Sequence, residues 1–163
     1  IATFMPRQYP IAGAVIVIWQ FMDKDTFRLH VHNSIRAISP DDWNKLSGIE
    51  NPFVQYDFLS ALEDGGAVGA NSGWNIAHLA LYNTSNKLVG VAPHYLKQHS
   101  YGEYIFDHSW AHAFERAGGA YYPKSLSAIP FTPATGPRLL VANSDAALKA
   151  TIARGLASLA EQN

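Results

Sequence analysis

The stretch from Ser100 to Lys124, SYGEYIFDHSWAHAFERAGGAYYPK, gathers carboxylates, imidazoles, an ammonium and several aromatic rings into one span. Asp107 stands next to His108. A carboxylate in that position can orient an imidazole, and imidazole is the side chain whose ordinary titration lies nearest neutrality, so the pair reads as a candidate catalytic acid/base unit. With residues 107–118 helical, His108 and His112 fall one turn apart and Glu115 lies close by. Two histidines four residues apart plus a carboxylate are the beginning of a zinc or iron site. The HExxH order is absent, however, and spacing fixes no third ligand, so no metal is assigned. Trp110, Phe114, Tyr121 and Tyr122 supply flat apolar surface of the kind that lines binding pockets. The same aromatics at these spacings also suit a packed core with solvated carboxylates, and both readings stand.

A second stretch, IPFTPATGPRLL from Ile129 to Leu140, is irregular by composition. Pro130, Pro133 and Pro137 fix the backbone, and Gly136 permits a turn that other residues resist. Stiff loops beside strands often line sites, and Arg138 is suited to a bidentate grip on a phosphate or carboxylate. A plain structural turn fits the same residues. His30, His32, His78, His94 and His99 are scattered and read as strand-surface or satisfied core residues. No nucleophile is evident: the chain has no cysteine, no G-x-S-x-G elbow and no serine with a patterned base. Neither a P-loop nor a G-x-G-x-x-G is present, which argues against nucleotide hydrolysis and dinucleotide binding.

The elements that must position these groups follow from periodicity. FRLHVHNSIRAI alternates as an opening strand, with Leu29, Val31 and Ile35 on recurring positions. SPDDW starts a helix, with Ser39 as cap, Pro40 in the first position and Asp41 and Asp42 at the positive end of the dipole. NPF starts another, capped by Asn51, with Phe53, Tyr56, Leu59 and Leu62 on one stripe and EDGG as its stop. WNIAHLALY and KLVGVAPHYLK, joined by NTSN, read as an antiparallel hairpin. Pro93 removes a donor from its second strand and belongs at an edge, a bulge or a splay. Apolar runs at YPKSLSAIPF and GPRLLVA follow, then a helix with Leu148, Ile152, Leu156 and Leu159 facing one way, capped by Asn143 or Ser144. The order predicts an α+β fold with a largely antiparallel sheet.

The 163 residues are enough for one domain with a hydrophobic core. A net charge of −1 and the absence of any basic cluster argue against a DNA groove. Only 15% of residues are charged, a sparse surface that points to apolar contact with another domain or subunit. Without cysteine there are no disulfides and no thiolate metal sites, and a cytoplasmic location is expected. Residues 1–28 read as an N-terminal extension that is either non-native or a strand. Its run IAGAVIVIWQFM, Ile11 to Met22, is too short to span a bilayer. It also fits the core of a targeting segment, and Met22 fits a start codon. No membrane association is expected.

NPF…YDFLSALE, SYGEYIFDHSWAHAFERAGGAYYPK and PFTPATGPRLL together resemble the FemAB-like family of predicted N-acyltransferases, described as peptidoglycan biosynthesis/recognition proteins and placed in the GNAT superfamily. The resemblance runs from about Ser34 to the end and covers the first of two GNAT-like halves, so residues 29–163 are expected to be that half. It implies a GNAT-like mixed, mostly antiparallel sheet flanked by helices, and transfer of an acyl or aminoacyl group to a small-molecule or peptide-like amine acceptor. This half would line an interdomain cleft shared with a C-terminal half or another subunit. Its motifs mark Glu103, Asp107, His108, Trp110, Glu115, Arg116, Tyr122, Lys124, Thr132, Gly136 and Arg138. Asp107 and His108 are then the catalytic candidates; Glu103, Trp110, Tyr122, Lys124, Thr132 and Arg138 are the substrate-binding ones. The alternative is a degenerate GNAT fold that binds a partner or cell-wall-like ligand without chemistry. The coenzyme A loop of GNAT enzymes, R/Q-x-x-G-x-G/A, has its nearest counterpart in RAGGAY from Arg116, with Tyr121 in place of the last small residue. No cofactor is therefore expected on this half; acyl-coenzyme A or aminoacyl-tRNA is the expected donor in the full-length protein.

Overall fold

The computed structural model describes residues 7–11, 14–18, 27–104 and 106–162, the first two segments by backbone alone. The strands are β1 (Arg7–Ile11), β2 (Ala14–Ile18), β3 (Arg28–His32), β4 (Trp74–Ile76), β5 (His78–Tyr82), β6 (Leu88–Ala92), β7 (Tyr95–Lys97), β8 (Lys124–Leu126) and β9 (Leu140–Val141). The helices are α1 (Pro40–Ser47), α2 (Tyr56–Asp64), α3 (His108–Arg116) and α4 (Ala146–Ala160). All pairings among the described strands are antiparallel, and the fold is α+β. One sheet runs β1-β2-β3-β5-β6-β9 and the other β4-β7-β8. The expected single sheet is thus divided. Within residues 1–28, β1 and β2 form a hairpin that joins the edge of the larger sheet through β3; residues 19–26, with Met22, lie outside the described residues. No helix among the described residues is long and apolar enough to cross a membrane.

The division happens at Pro93. Proline offers no N–H to the ladder. The next donor, the His94 N–H, turns aside to His78 Nδ1 at 3.2 Å, so the hairpin splays and its two ends enter different sheets. Strand β5 reads as a continuous apolar run because both of its faces are covered. Leu79 and Leu81 pack with Leu29, Val141 and Ile152 under α4. Ala80 faces the other way, into Ile35, Trp43, Val54 and Leu59 under α1 and α2. A third cluster, Val68, Trp74 and Tyr95, lies with the smaller sheet.

Several local expectations hold. Ser39 caps α1, with Pro40 in its first position, and Trp43 is buried with its indole N–H donating to the Val54 carbonyl at 2.8 Å. Three are corrected. The opening strand stops at His32, and Ser34 starts a 3₁₀ turn that buries Ile35. The NPF helix is split: Asn51 caps a 3₁₀ turn over Pro52–Val54, Gln55 is extended, and α2 begins at Tyr56, leaving Phe53 exposed. The Tyr56 N–H bonds to the Asn44 side chain at 2.9 Å, which anchors the chain at this break. Finally, α4 is capped by Asp145, whose carboxylate accepts from Ala147 and Leu148; Asn143 and Ser144 sit in left-handed conformation before it.

Candidate active site

The smaller sheet sets the geometry. Its β7–β8 register places Lys97 directly opposite Lys124, and like charges so placed repel. The connection leaving β7 answers with Glu103 and Asp107. Glu103 bridges the two ammonium groups, at 3.5 Å from Lys97 and 2.7 Å from Lys124, with a side chain only 9% exposed. Lys124 also donates to Ser100 Oγ at 2.8 Å and to the Asp107 carboxylate. The Tyr121 hydroxyl donates to the same Asp107 oxygen at 2.9 Å, and Ser100 pairs with the Tyr122 hydroxyl at 2.8 Å. Lys97 is fully buried, with Nζ 3.5 Å from the centre of the Trp74 ring and donating to the Tyr101 carbonyl at 2.7 Å.

This packing tunes the ionisable groups. Burial lowers Lys97 to about 8, against the opposing pull of Glu103. Burial pushes the Asp107 carboxyl up, but Lys124, Ser100 and Tyr121 outweigh it and hold the group down at about 2. Burial also lowers Lys124, yet its bonds to Asp107 and Glu103 leave it above its ordinary value. Asp107 is consequently a firmly ionised anchor and a weak proton acceptor.

Beside the cluster lies a cleft of about 230 Å³, walled by Trp74, Glu103, Ile129, Thr132, Pro133 and Arg138 among others. Glu103 therefore serves both the lysine cluster and the cleft. The proline-rich loop is tied at two points: the Phe131 N–H donates to the Gly102 carbonyl of the facing wall at 3.2 Å, and Asn51 Nδ2, outside the cleft, donates to the Thr135 carbonyl at 3.1 Å. The Arg138 guanidinium donates to carbonyls of its own loop, Ala134, Gly136 and Pro137, and burial lowers its proton affinity.

Among the residues singled out from sequence, Glu103, Thr132 and Arg138 line the cleft, while Asp107 and Lys124 stand behind Glu103 and Tyr122 supports Ser100. The expected Asp107–His108 hydrogen bond is not formed among the described residues. The carboxylate turns to Lys124 and Tyr121, and His108, at the exposed start of α3, packs its ring 6.2 Å from that of Tyr101. Trp110 is 75% exposed on the same helix and does not border the cleft. Lys97 and Trp74 were not singled out, because a lysine ending a strand and a tryptophan opening one carry no local mark. No group of three or more potential metal ligands is assembled among the described residues. The RAGGAY segment closes the C-terminal end of α3, where the Ala117, Gly118 and Gly119 N–H groups are spent on the Ala113, Phe114 and Glu115 carbonyls of the helix.

No curated protein and no solved structure matches the chain. A family does: residues 34–163 match FemAB-like, described as peptidoglycan biosynthesis/recognition, so the chain belongs to the FemAB-like family, with a role in peptidoglycan biosynthesis or recognition.

Proposed function

We propose that this chain is the acceptor-binding, GNAT-like half of an N-acyltransferase that moves an acyl or aminoacyl group onto an amine of a peptidoglycan precursor. The observation that supports it is the meeting of two stretches distant in sequence, Glu103 from one and Thr132 with Arg138 from the other, on one cleft. A space of this size is below that of pockets enclosing drug-sized molecules, so it suits one end of an acceptor. The donor, acyl-coenzyme A or aminoacyl-tRNA, then binds against a second half or another subunit. In such a transfer the neutral amine attacks the donor carbonyl carbon. The tetrahedral oxyanion collapses with cleavage of the donor's thioester C–S or ester C–O bond, the nitrogen gives up one proton to a base, and the coenzyme A thiol or tRNA hydroxyl leaves carrying a proton. No covalent enzyme intermediate is required. Asp107 acts here as the anchor of Lys124, which leaves His108 as the candidate base of the pair. Trp110 offers a stacking face for parts of the acceptor outside the cleft. A cytoplasmic location, where these donors are made, goes with this reading.

The test is incubation of the chain, and of the longest natural protein containing it, with each donor and an amine-bearing stem peptide. The expected result is an acylated peptide in the mass spectrum and acceptor-induced NMR shifts at residues 102–104 and 132–138. Acceptor binding that shifts only amides elsewhere refutes the cleft. One observation favours a second reading, recognition without transfer: Asp107 and Lys124 satisfy each other and leave no primed base between them. Its outcome is binding at the cleft with no acylated product.

A further inference from the structure

We infer that the cleft is a carboxylate site: the acceptor enters with a free carboxylate on Arg138 and Thr132 and an apolar segment along Ile129 and Pro133. This rests on the reading of the cleft as the acceptor pocket. The argument begins with the cations. An ammonium has three N–H donors. Lys124 uses all three, on Ser100, Glu103 and Asp107, so it cannot grip a substrate without releasing one of them. Lys97 is sealed against Trp74, the Tyr101 carbonyl and Glu103. Two lysines and two carboxylates therefore cancel.

Arg138 stands outside that balance. Among the described residues no carboxylate lies within ion-pair distance of it. Its partners are three carbonyls, which satisfy hydrogen bonds and carry no net charge. Five N–H donors leave some unused. A half-buried guanidinium without a counter-ion, in a cleft whose other charged lining group, Glu103, is held by the two lysines, is an incomplete pair, and an anion completes it. Thr132 adds a second donor. Its Oγ1 accepts the Ala134 N–H at 3.2 Å, and its own proton has no acceptor among the described residues. The ties at Thr135 and Phe131 hold both groups in place before any ligand arrives, which lowers the ordering cost of binding. The flat, two-oxygen geometry of a carboxylate matches a guanidinium edge. A phosphate dianion would call for a second cation, and both lysines are occupied.

The test is an amide-NMR titration of the labelled chain with aminohexanoate, aminohexanamide, hexylamine and inorganic phosphate. Aminohexanoate is expected to shift Thr132, Ala134 and Gly136, with the amide and the plain amine bound about tenfold more weakly or worse. Arg138→Ala is expected to erase the preference of acid over amide. Thr132→Val, which keeps the side-chain shape and gives up the hydroxyl together with its bond to the Ala134 N–H, is expected to reduce that preference while Arg138 stays in place. The amide spectrum away from the cleft reports whether each variant is folded. Equal binding of acid and amide at the cleft overturns the carboxylate site and leaves the acceptor pocket standing. So does an acid preference that survives in folded Arg138→Ala. Phosphate binding tighter than carboxylate makes it a different site, and no shift at the cleft with any probe removes the pocket as well.

Discussion

Lys97 and Lys124 face each other across the β7–β8 ladder, and the acids that reconcile them are Glu103, between the two, and Asp107, on Lys124. The function of Asp107 follows from its acidity. Held at about 2 against an ordinary 3.8, it contributes stability that is fully present above the ordinary value and is lost as pH falls through about 2. Asp107→Asn keeps the shape and removes the charge. At neutral pH it is expected to cost roughly 2 kcal/mol, the free-energy equivalent of that shift. The variant is also expected to lose the acid-limb slope below the ordinary carboxylate range. Urea denaturation at a series of pH values checks both. An unchanged slope means that Lys124 does not hold the carboxylate in solution. His108→Ala, by contrast, removes no described hydrogen bond and is expected to leave stability within about 0.5 kcal/mol of the wild type.

At the scale of elements, the cleft depends on how the β7–β8 connection meets the proline-rich loop. Gly102 has φ of +78°, and a Cβ there would lie 2.4 Å from the Phe131 ring. Phe131 is itself in left-handed conformation, φ +58°, a position that a bulky residue occupies only when its surroundings impose it. Gly102→Ala is therefore expected to push the two walls apart and destabilise the protein by about 1–3 kcal/mol. Loss of acceptor-induced shifts at Thr132 and Arg138, measured by NMR on the folded variant, checks the effect on the cleft. The same two segments show what a sequence can disclose. Ser39-Pro40-Asp41 marks the start of α1 because caps are settled within one turn, and Pro93 marks the splay because proline carries its constraint with it. The motif residues Glu103, Thr132 and Arg138 also proved to be neighbours. The partner of Asp107 was not legible. His108 is adjacent in sequence, yet Lys124, 17 positions away, wins because strand register sets it there. The split before α2 and the choice of Asp145 over Asn143 or Ser144 likewise turn on contacts and backbone angles that composition does not encode.

For the whole molecule, covering β5 on both faces and splaying the hairpin bury imidazoles between the layers. His94 bonds Ser127 Oγ at 3.0 Å and Ser125 Oγ at 2.9 Å through its two ring nitrogens, and burial, then His78, lower it to about 4. His32, buried with no hydrogen-bond partner on either ring nitrogen among the described residues, is lowered to about 4 by burial, then by His30 and His78. Both are below their ordinary 6.5, so the unfolded chain takes up protons first as pH falls. Stability is then fully present above about 6.5 and declines until the folded-state values are reached, by roughly 3 kcal/mol for each imidazole. The carboxylates titrate lower: Glu63, raised by burial but lowered further by His78, Ser34 and the Ile35 N–H, and Asp107 both lie below the carboxylate norm. The upper part of the window thus belongs to the histidines. Denaturation midpoints at pH 7, 6 and 5 are expected to fall stepwise, and His94→Gln, which can still bond a serine, is expected to lose about half of that slope. A midpoint that stays level from pH 7 to 5 would mean that these imidazoles are not held neutral between the layers, and that the sheets are less tightly closed around His94 than their hydrogen bonds describe.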